Sequence, residues 1–479
     1  MSNVLRGIPS VNELLESPQL KSLVERVNHN AVVTGVRSFL DNLRGEVQTA
    51  AAGMNIPTRA ELAERIAQWI SRDQERPLRP AINATGILLH TGLGRAPLCD
   101  AAVQALAEVA SGYASVEIDL QTGERSQRVA SVEKLLTRLT GAEAAAVANN
   151  NAGATLLTLA ALAAGKEVLV SRGQLIEIGG SYRLPEVMSA SGAVLREVGT
   201  TNKTRASDYS SAICERTAAL MRVHTSNYVV VGFSESASLA EMISIGRRNQ
   251  LPVIDDIGSG ALIDFSRYGV TGEPMAAESI KAGADVVLFS GDKLLGGPQC
   301  GIIVGRRSAI DRIIKHPLMR ALRVDKLTLA ALHATLQQYG DVANAERTIP
   351  LLSLLSTPLE NLQNRAERLA PQMLATGAVS AAVAVADVAY LGGGSVPTQQ
   401  IPTWCIALSP LEGTSVDALA ASLRTGKIAV VGRIKNDRLL LDLRSVLPRQ
   451  DMDLVLAVGS LAKLAADATT APAVYALDR

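Results

Sequence analysis

From about Pro80 to Gly305 the chain alternates short apolar runs with amphipathic stretches, and this alternation restricts the fold more than any other feature. Residues 168–170, 218–223, 252–254 and 285–289 are strand candidates, and residues 131–139, 153–164 and 239–248 suit helices. Strands separated by helices return through crossovers, so the pattern predicts an α/β domain with a mainly parallel sheet. In such sheets ligands sit beyond the carboxyl ends of the strands, where loops and helix amino termini converge. The residues just after each apolar run therefore carry the functional information.

On either side the pattern changes. Before Pro80 it reads as a small helical domain: Ser10 with Glu13, and Thr58 with Glu61, have the spacing of a capping box. Leu62, Ile66, Trp69 and Ile70 then recur at helical spacing as one apolar stripe, which serves either as core or as a domain contact. The polar run 71–77, closed by Pro77 and followed by Pro80, reads as a linker. Beyond Arg320 the chain predicts a long connecting helix and then a mixed α/β region. Residues 404–408 and 428–431 look like strands there, and residues 439–443 follow the turn-like Lys435-Asn436-Asp437 as the far arm of a hairpin. The expected domains are residues 1–75, helical; 76–319, the α/β core; and 320–479, a linking helix with an α+β region.

Composition serves mainly to exclude. With 479 residues, two or three domains are expected, and 47% hydrophobic against 19% charged residues is the balance of a folded rather than a disordered chain. A formal net charge of +1 gives the whole molecule no pull on phosphate, so a nucleic-acid partner must meet a local patch. The four cysteines, Cys99, Cys214, Cys300 and Cys405, are scattered and form no C-x-x-C pair, which suggests neither a disulfide framework nor a metal site and fits a cytoplasmic setting. No apolar stretch approaches the length of a membrane span.

Three strand ends stand out. Phe289-Ser290-Gly291-Asp292-Lys293 follows an apolar run and sets one lysine among small residues, where a cofactor aldehyde has access to it. A nucleophilic lysine must be partly neutral, which burial and neighbouring positive charge arrange, and the glycines allow close approach. Ser290 is placed to hold a phosphate oxygen. The plainer alternative is a surface lysine in a glycine turn. The S-x-x-K spacing also occurs in penicillin-interacting enzymes, but their companion S-D-N and K-T-G triplets are absent. Next, Val253-Ile254-Asp255-Asp256 ends an apolar strand in two carboxylates. A carboxylate beside a pyridine nitrogen keeps it protonated, and Asp256 is the candidate, with Asp255 read as a turn cap or a solvated group. Last, Asn149-Asn150-Asn151-Ala152 leads into an apolar helix, whose free amides make a phosphate cradle. Simple helix capping is the alternative for the asparagines. Lys293, Asp256 and the Asn150, Asn151 and Ala152 cradle together point to pyridoxal 5'-phosphate, with Lys293 as its Schiff-base lysine.

These motifs carry a resemblance. I-P-S-V-N-E-L-L at 8–15, I-N-A-T-G-I-L-L-H-T-G-L-G-R-A at 82–96, the asparagine run, E-I-G-G at 177–180, V-G-T-T-N at 198–202, V-H-T-S-N-Y at 223–228, S-G-D-K-L-L-G-G-P at 290–298 and L-R-V-D-K at 322–326 span nearly the whole chain. The sequence resembles the bacterial selenocysteine synthases, the L-seryl-tRNA(Sec) selenium transferases, which belong to the fold-type-I pyridoxal-phosphate enzymes. One departure is Gly92, where that family usually has asparagine in its H-T-N-L-G-R-A run.

The resemblance implies a reaction: the seryl amine displaces Lys293 from the cofactor, Lys293 takes the Cα proton, the serine hydroxyl leaves, and selenium from selenophosphate adds at Cβ. Asp292, next to the lysine, assists proton transfer or makes a structural hydrogen bond. Carried over from the family, Arg95, Arg320 and Arg323 line the active site and suit the phosphate-bearing donor, since arginine forks match such oxygens. An ion pair with Asp325 is the alternative for Arg323. Thr200 and Thr201 add substrate hydroxyl contacts, and His224 lies at the cofactor or is a structural histidine. The family binds seryl-tRNA(Sec) through its amino-terminal domain, the place of residues 1–75, and assembles as a ring of dimers. Charge would not have suggested that partner: ten Lys/Arg stand against nine Asp/Glu before Pro80. Two rivals are a related lyase acting on a small amino acid or amino sugar without tRNA, which generally lacks the helical extension, and a non-catalytic tRNA-binding protein, against which the Asp256 and Lys293 pair weighs.

Overall fold

The computed structural model describes residues 8–49, 57–73, 78–180, 182–392 and 395–470, and the chain divides into two compact units, Met1–Pro80 and Ala81–Arg479. The first contains helices α1 (Val11–Leu15), α2 (Pro18–Arg26), α3 (His29–Thr49) and α4 (Arg59–Asp73). Ser10 and Glu13 form the reciprocal cap expected of them, and the Thr58 amide donates to Glu61 while the Glu61 amide donates back to the Thr58 hydroxyl. Leu62, Ile66 and Ile70 are buried with Leu14, Leu20, Val36 and Leu40, and Trp69 meets Phe39 edge to face at 6.1 Å. The apolar stripe is thus the core of its own bundle. Helix α4 continues through Ser71, Arg72 and Asp73, where a linker was expected, and the rest of that run, 74–77, lies outside the described residues.

The second unit is built on a seven-stranded sheet of β1 (Ala144–Ala148), β2 (Glu167–Ser171), β3 (Val194–Val198), β4 (Thr217–Val223), β5 (Val253–Gly258), β6 (Val286–Ser290) and β7 (Gly301–Gly305), in the order β1-β7-β6-β5-β4-β2-β3. Strand β7 runs antiparallel to both its neighbours, and the other pairs are parallel. Both faces are covered: Val147, Val287, Phe289, Ile302 and Val304 pack on one side, and Ala146, Val170, Met221, Leu288 and Ile303 on the other. Burial on two faces makes the central strands β6, Val-Val-Leu-Phe-Ser, and β7, Gly-Ile-Ile-Val-Gly, almost wholly apolar, whereas the edge strand β3, Val-Leu-Arg-Glu-Val, is largely exposed. Strands β1, β3 and β7 were not anticipated; β1 is Ala-Ala-Ala-Val-Ala, a composition that favours helix until the sheet encloses it.

A five-stranded sheet follows in the order Arg433–Lys435, Arg438–Asp442, Ser395–Ser409, Ala381–Gly392, Ile87–Leu89. Its last strand comes from the start of the unit, and Ala81–Asn83 pairs in parallel with Ala429–Val431, so the beginning of the expected 76–319 segment is interleaved with the carboxyl-terminal layer. The hairpin closes between Arg433–Lys435 and Arg438–Asp442, with Asn436 and Asp437 at φ 51° and 56°, the paired left-handed conformation of a type I′ turn. The strand at 428–431 is not its other arm, because the chain leaves that strand at Gly432 to pair elsewhere. The single long helix expected after Arg320 is four: α5 (Lys326–Gln338), α6 (Val342–Thr348), α7 (Pro350–Ser356) and α8 (Leu359–Leu374). Gly340, Pro350 and Pro358 stand at the breaks, where they interrupt a helix or start the next. Among the described residues no helix is long and apolar enough to cross a membrane.

Candidate active site

The carboxyl ends of β4, β5 and β6, the start of helix Asn151–Ala163 and the loop after Leu93 meet around a cavity of about 210 Å³, lined by Arg95, Asn150, Asn151, Ala152, Tyr182, His224, Asp256, Ser290, Asp292, Lys293 and Cys300, among others. Nine of the thirteen anticipated site residues are therefore brought together. The remaining four, Thr200, Thr201, Arg320 and Arg323, lie elsewhere.

Lys293 is 4% exposed, so the surface-turn alternative fails. Its loop is pinned by backbone bonds from Leu294 to Ser259, from Gly291 to Cys300 and from Gly297 to Gly291. Burial pushes the amine below the usual lysine range; Arg95 adds to this, and Asp256, Asp292 and Glu273 oppose it. Desolvation thus shifts the amine toward the neutral, nucleophilic form.

Strand alternation decides between the adjacent aspartates. Asp255 is fully buried and takes a bidentate pair from Arg222, with Nε at 2.6 Å and Nη2 at 2.8 Å. It is neither a turn cap nor solvated, as had been expected. Asp256 points into the cavity, where Asn151 donates to Oδ1 at 2.9 Å, Thr155 to Oδ2 at 3.1 Å, and the Gly258 amide to Oδ1 at 3.1 Å. Burial raises its pKa despite these three donors and Lys293. A register shift between Asp256 and Gly258 against β6 turns the strand end at this point.

The asparagine run divides its work. The Asn149 amide bonds to the Leu322 carbonyl, Asn150 caps the helix by accepting from the Gly153 amide at 2.8 Å, and Asn151 holds Asp256. The amides of Asn151 and Ala152, the first two of the helix, have no intrahelical acceptor and border the cavity. Strand β7 approaches the cap so closely that a Cβ at Gly301 would collide with the Asn150 carbonyl.

Arg95 has φ 60°, a conformation that costs a side-chain-bearing residue energy and is found where neighbours enforce it. Here its amide bonds to His90, and the next amide, of Ala96, bonds to Asp292. Arg95 Nη1 then reaches Asp292 Oδ2 at 2.8 Å, which gives Asp292 a hydrogen-bonded partner as well as its place beside Lys293. His224 follows β4 and borders this cavity and a second of about 450 Å³, and its Nε2 stands 3.7 Å from Glu273.

Thr201 lines that second cavity, while the Thr200 hydroxyl closes a local turn with Lys203. Arg320 is exposed at the end of the short helix Leu318–Ala321. Arg323 is also exposed, and its backbone bridges Ala148 at the end of β1, beside the asparagine run. Asp325 caps helix α5 through the Thr328 amide, and an Arg323–Asp325 pair is absent from the ion pairs of the described residues. Sequence reasoning passed over Tyr182, Thr155 and Glu273. Thr155 sits four residues after Asn151 and so shares its helix face, a signal available in the sequence; Tyr182, on a short strand paired with Glu177–Ile178, and Glu273, on a loop, are brought near only by the folded chain. Partial burial and the Asp256 charge push the Tyr182 phenol above its usual range.

Residues 81–447 match the family described as L-seryl-tRNA selenium transferase, and residues 5–44 match the one described as the selenocysteine synthase N terminal. The chain is 46% identical over 463 residues to the L-seryl-tRNA(Sec) selenium transferase of Geobacter sulfurreducens, covering 96% of this chain and 99% of that one. It is 46% identical to the enzyme of the same name from Moorella thermoacetica (95% and 96% covered) and 45% identical to that of Hyphomonas neptunium (93% and 96%). Among solved structures, D-glucosaminate-6-phosphate ammonia-lyase superposes with a TM-score of 0.56 at 23% identity, over 81% of this chain and 97% of that one, a likeness of fold. The central sheet is that of the fold-type-I enzymes, and the chain belongs to the L-seryl-tRNA selenium transferase family.

Proposed function

We propose that this protein converts L-seryl-tRNA(Sec) to L-selenocysteinyl-tRNA(Sec) with pyridoxal 5'-phosphate, and the observation that carries the reading is a buried Lys293 that lines one cavity with Asp256. The residues present fit that cofactor. Lys293 supplies the amine for its aldehyde, Asp256 a carboxylate for its ring nitrogen, and the free amides of Asn151 and Ala152 with Ser290 a phosphate cradle. The Asn151 side-chain oxygen, Oδ1, is buried with no partner, as in a site made to receive a donor. When bound, pyridoxal phosphate supplies an aldehyde for the substrate amine and a ring that takes up the electron pair left at Cα.

The chain's own groups do the rest. Lys293, once free, takes the proton from Cα and later returns it, a role suited to an amine whose pKa is held down by burial and Arg95. Asp292 stays anchored to Arg95 and keeps a second oxygen, Oδ1, buried without a partner beside Lys293, where it assists proton transfer by accepting from the ammonium that forms when Lys293 takes the Cα proton. Arg95 keeps Nε without a partner and contacts the anionic selenium donor, which we take to be selenophosphate. Arg320 and Arg323 are assigned to the same donor by resemblance, Thr200 and Thr201 to the substrate, and His224 to the wall of the cofactor site. The helical unit takes the tRNA, in a cytoplasmic protein whose four cysteines are unpaired and whose copies form a ring of dimers.

Purified protein given seryl-tRNA(Sec) and selenophosphate should yield selenocysteinyl-tRNA and leave free serine untouched. Turnover of free serine with indifference to the tRNA would replace this reading with that of a small-molecule lyase.

A further inference from the structure

Glu273 borders the site and has no part in the reaction described above. Its side chain is 2% exposed, and neither carboxylate oxygen has a hydrogen-bond partner. A basic side-chain atom within ion-pair distance, His224 Nε2, is 3.7 Å away, beyond hydrogen-bond range. Buried acceptors in folded proteins are nearly always matched, so a carboxylate left bare on both oxygens marks a donor that arrives with a ligand. The loop that presents it is fixed in place. The Gln399 amide clasps Thr271, two residues earlier, accepting from its N–H at 2.8 Å and donating to its carbonyl at 2.6 Å.

The position of Glu273 indicates what the ligand is. With His224 it lines the cavity of about 450 Å³, a volume typical of small-molecule sites, and His224 and Ser226 are walls of both this cavity and the one that contains Lys293. In an aminoacyl-tRNA the amino acid is esterified to one hydroxyl of the terminal ribose, and the neighbouring hydroxyl is free. A serine whose Cα lies at Lys293 therefore sets its ribose one ester linkage further out, at the seam where the two cavities meet. A carboxylate is a natural acceptor for a ribose hydroxyl. We infer that Glu273 and the larger cavity form the subsite for the terminal ribose of the aminoacyl-tRNA, with Glu273 accepting a hydrogen bond from the hydroxyl beside the ester. The inference rests on the function proposed above. It makes Glu273 a substrate-binding residue that tells a charged RNA end from free serine, and it gives the larger cavity, which lacks the reactive lysine, a role.

The test uses cofactor-loaded full-length protein and two forms of seryl-tRNA(Sec) with the serine on the 3′ oxygen, one ending in a ribose and one in a 2′-deoxyribose. Conversion is measured as kcat/KM, and binding with amide-linked alanyl counterparts that have no hydroxyl to lose. A hydrogen bond to a charged acceptor predicts that wild type prefers the ribose form roughly ten- to a hundredfold in both readouts. Glu273→Gln should weaken the ribose form by a similar factor and treat the two forms within about threefold of each other. Equal handling of both forms by wild type, or an undiminished ribose preference in Glu273→Gln, overturns the assignment while leaving the transferase reading intact. Failure of wild type to convert the ribose form at all removes both. Should Glu273→Gln lose the cofactor's absorbance, the wild-type preference between the two forms decides alone.

Discussion

Among the described residues of the larger unit, one cluster of buried charge surrounds Arg433 and another surrounds Lys293. Around Arg433 every carboxylate oxygen is matched. Asp442 is fully buried; its Oδ2 takes Arg433 Nη1 at 2.6 Å and its Oδ1 takes the Thr403 hydroxyl at 2.6 Å and the Arg444 amide at 3.0 Å. Asp387 takes Arg433 at 3.1 Å and Lys435 at 2.7 Å. Burial alone would lower the Arg433 pKa, but Asp442 raises it, and the cluster is closed. Around Lys293 the matching stops short: Asp292 Oδ1, Arg95 Nε, Asn151 Oδ1 and both oxygens of Glu273 are buried without partners. Networks of the first kind specify a packing, whereas those of the second kind are completed by what binds. The difference is measurable, because deletion should cost stability in one cluster and function in the other.

The largest effect is expected at Lys293. Lys293→Met should abolish the near-violet absorbance of bound cofactor and cut turnover by roughly 10³- to 10⁴-fold, the upper range for loss of a general base. Stability should move the other way. A lysine whose folded pKa lies below its unfolded one carries its full cost at pH values under the folded pKa, where both states are charged. Above that point the unfolded chain holds more protons, so stability recovers as pH climbs toward the ordinary lysine value. Cofactor-free Lys293→Met should therefore unfold later in urea than cofactor-free wild type by on the order of 1 kcal/mol, with the gap full below the folded pKa and shrinking as pH rises toward the ordinary lysine value. A variant less stable than wild type at neutral pH would mean that Lys293 is matched after all.

Asp442→Ala should show the reverse. It takes one acceptor from the Arg433 guanidinium, which keeps Asp387 and the Thr85 carbonyl, and from the Thr403 hydroxyl and the Arg444 amide at once, and removing one partner of a buried pair costs up to about 3–5 kcal/mol. The same deletion at Asp292 takes the acceptor from one donor, Arg95 Nη1, and also removes an oxygen that is buried without a partner, so it should cost about 1 kcal/mol or less in urea while turnover falls sharply. Equal losses of stability at the two aspartates would erase the distinction between the clusters.

What could be read from the sequence follows from the same distinction. Strands β2, β4, β5 and β6 were legible because runs buried on both faces are mainly apolar, and the carboxyl ends of β4, β5 and β6 and the residues just after them held His224, Asp256, Ser290, Asp292 and Lys293 as the parallel-sheet rule requires. The alanine-rich β1 was illegible because tertiary enclosure, not propensity, makes it a strand. Arg433 and Asp442 gave no signal because their partners, Thr85 and Asp387, are remote in sequence. The 82–96 motif was recognised as a unit, but the structure divides it. Asn83, Thr85 and Gly86 serve the closed cluster, and Arg95 serves the open one. The Thr85 carbonyl accepts from Arg433 Nη1 at 2.6 Å, and at Gly86, with φ +78°, a Cβ would collide with both Arg433 and Asp442.

Gly92 lies between those two ends and should matter least. It sits in the one-turn 3₁₀ helix Thr91–Leu93, and the positive φ values of this loop belong to Gly94 and Arg95, so the backbone does not demand glycine at 92. A Cβ there would stand 3.3 Å from His90 Cε1 and 3.6 Å from Nδ1, a contact relieved by a shift of a few tenths of an ångström in one ring. That Nδ1 is buried without a partner, so the amide of an asparagine, the residue usual in the family, would supply the donor it lacks. Gly92→Asn should therefore change stability by about 1 kcal/mol or less, toward greater stability, and turnover by less than about twofold, as read by urea midpoint and initial rate. A tenfold change in turnover with an unchanged midpoint would place Gly92 in the open cluster with Arg95, and a loss of several kcal/mol would place it in the closed one with Gly86.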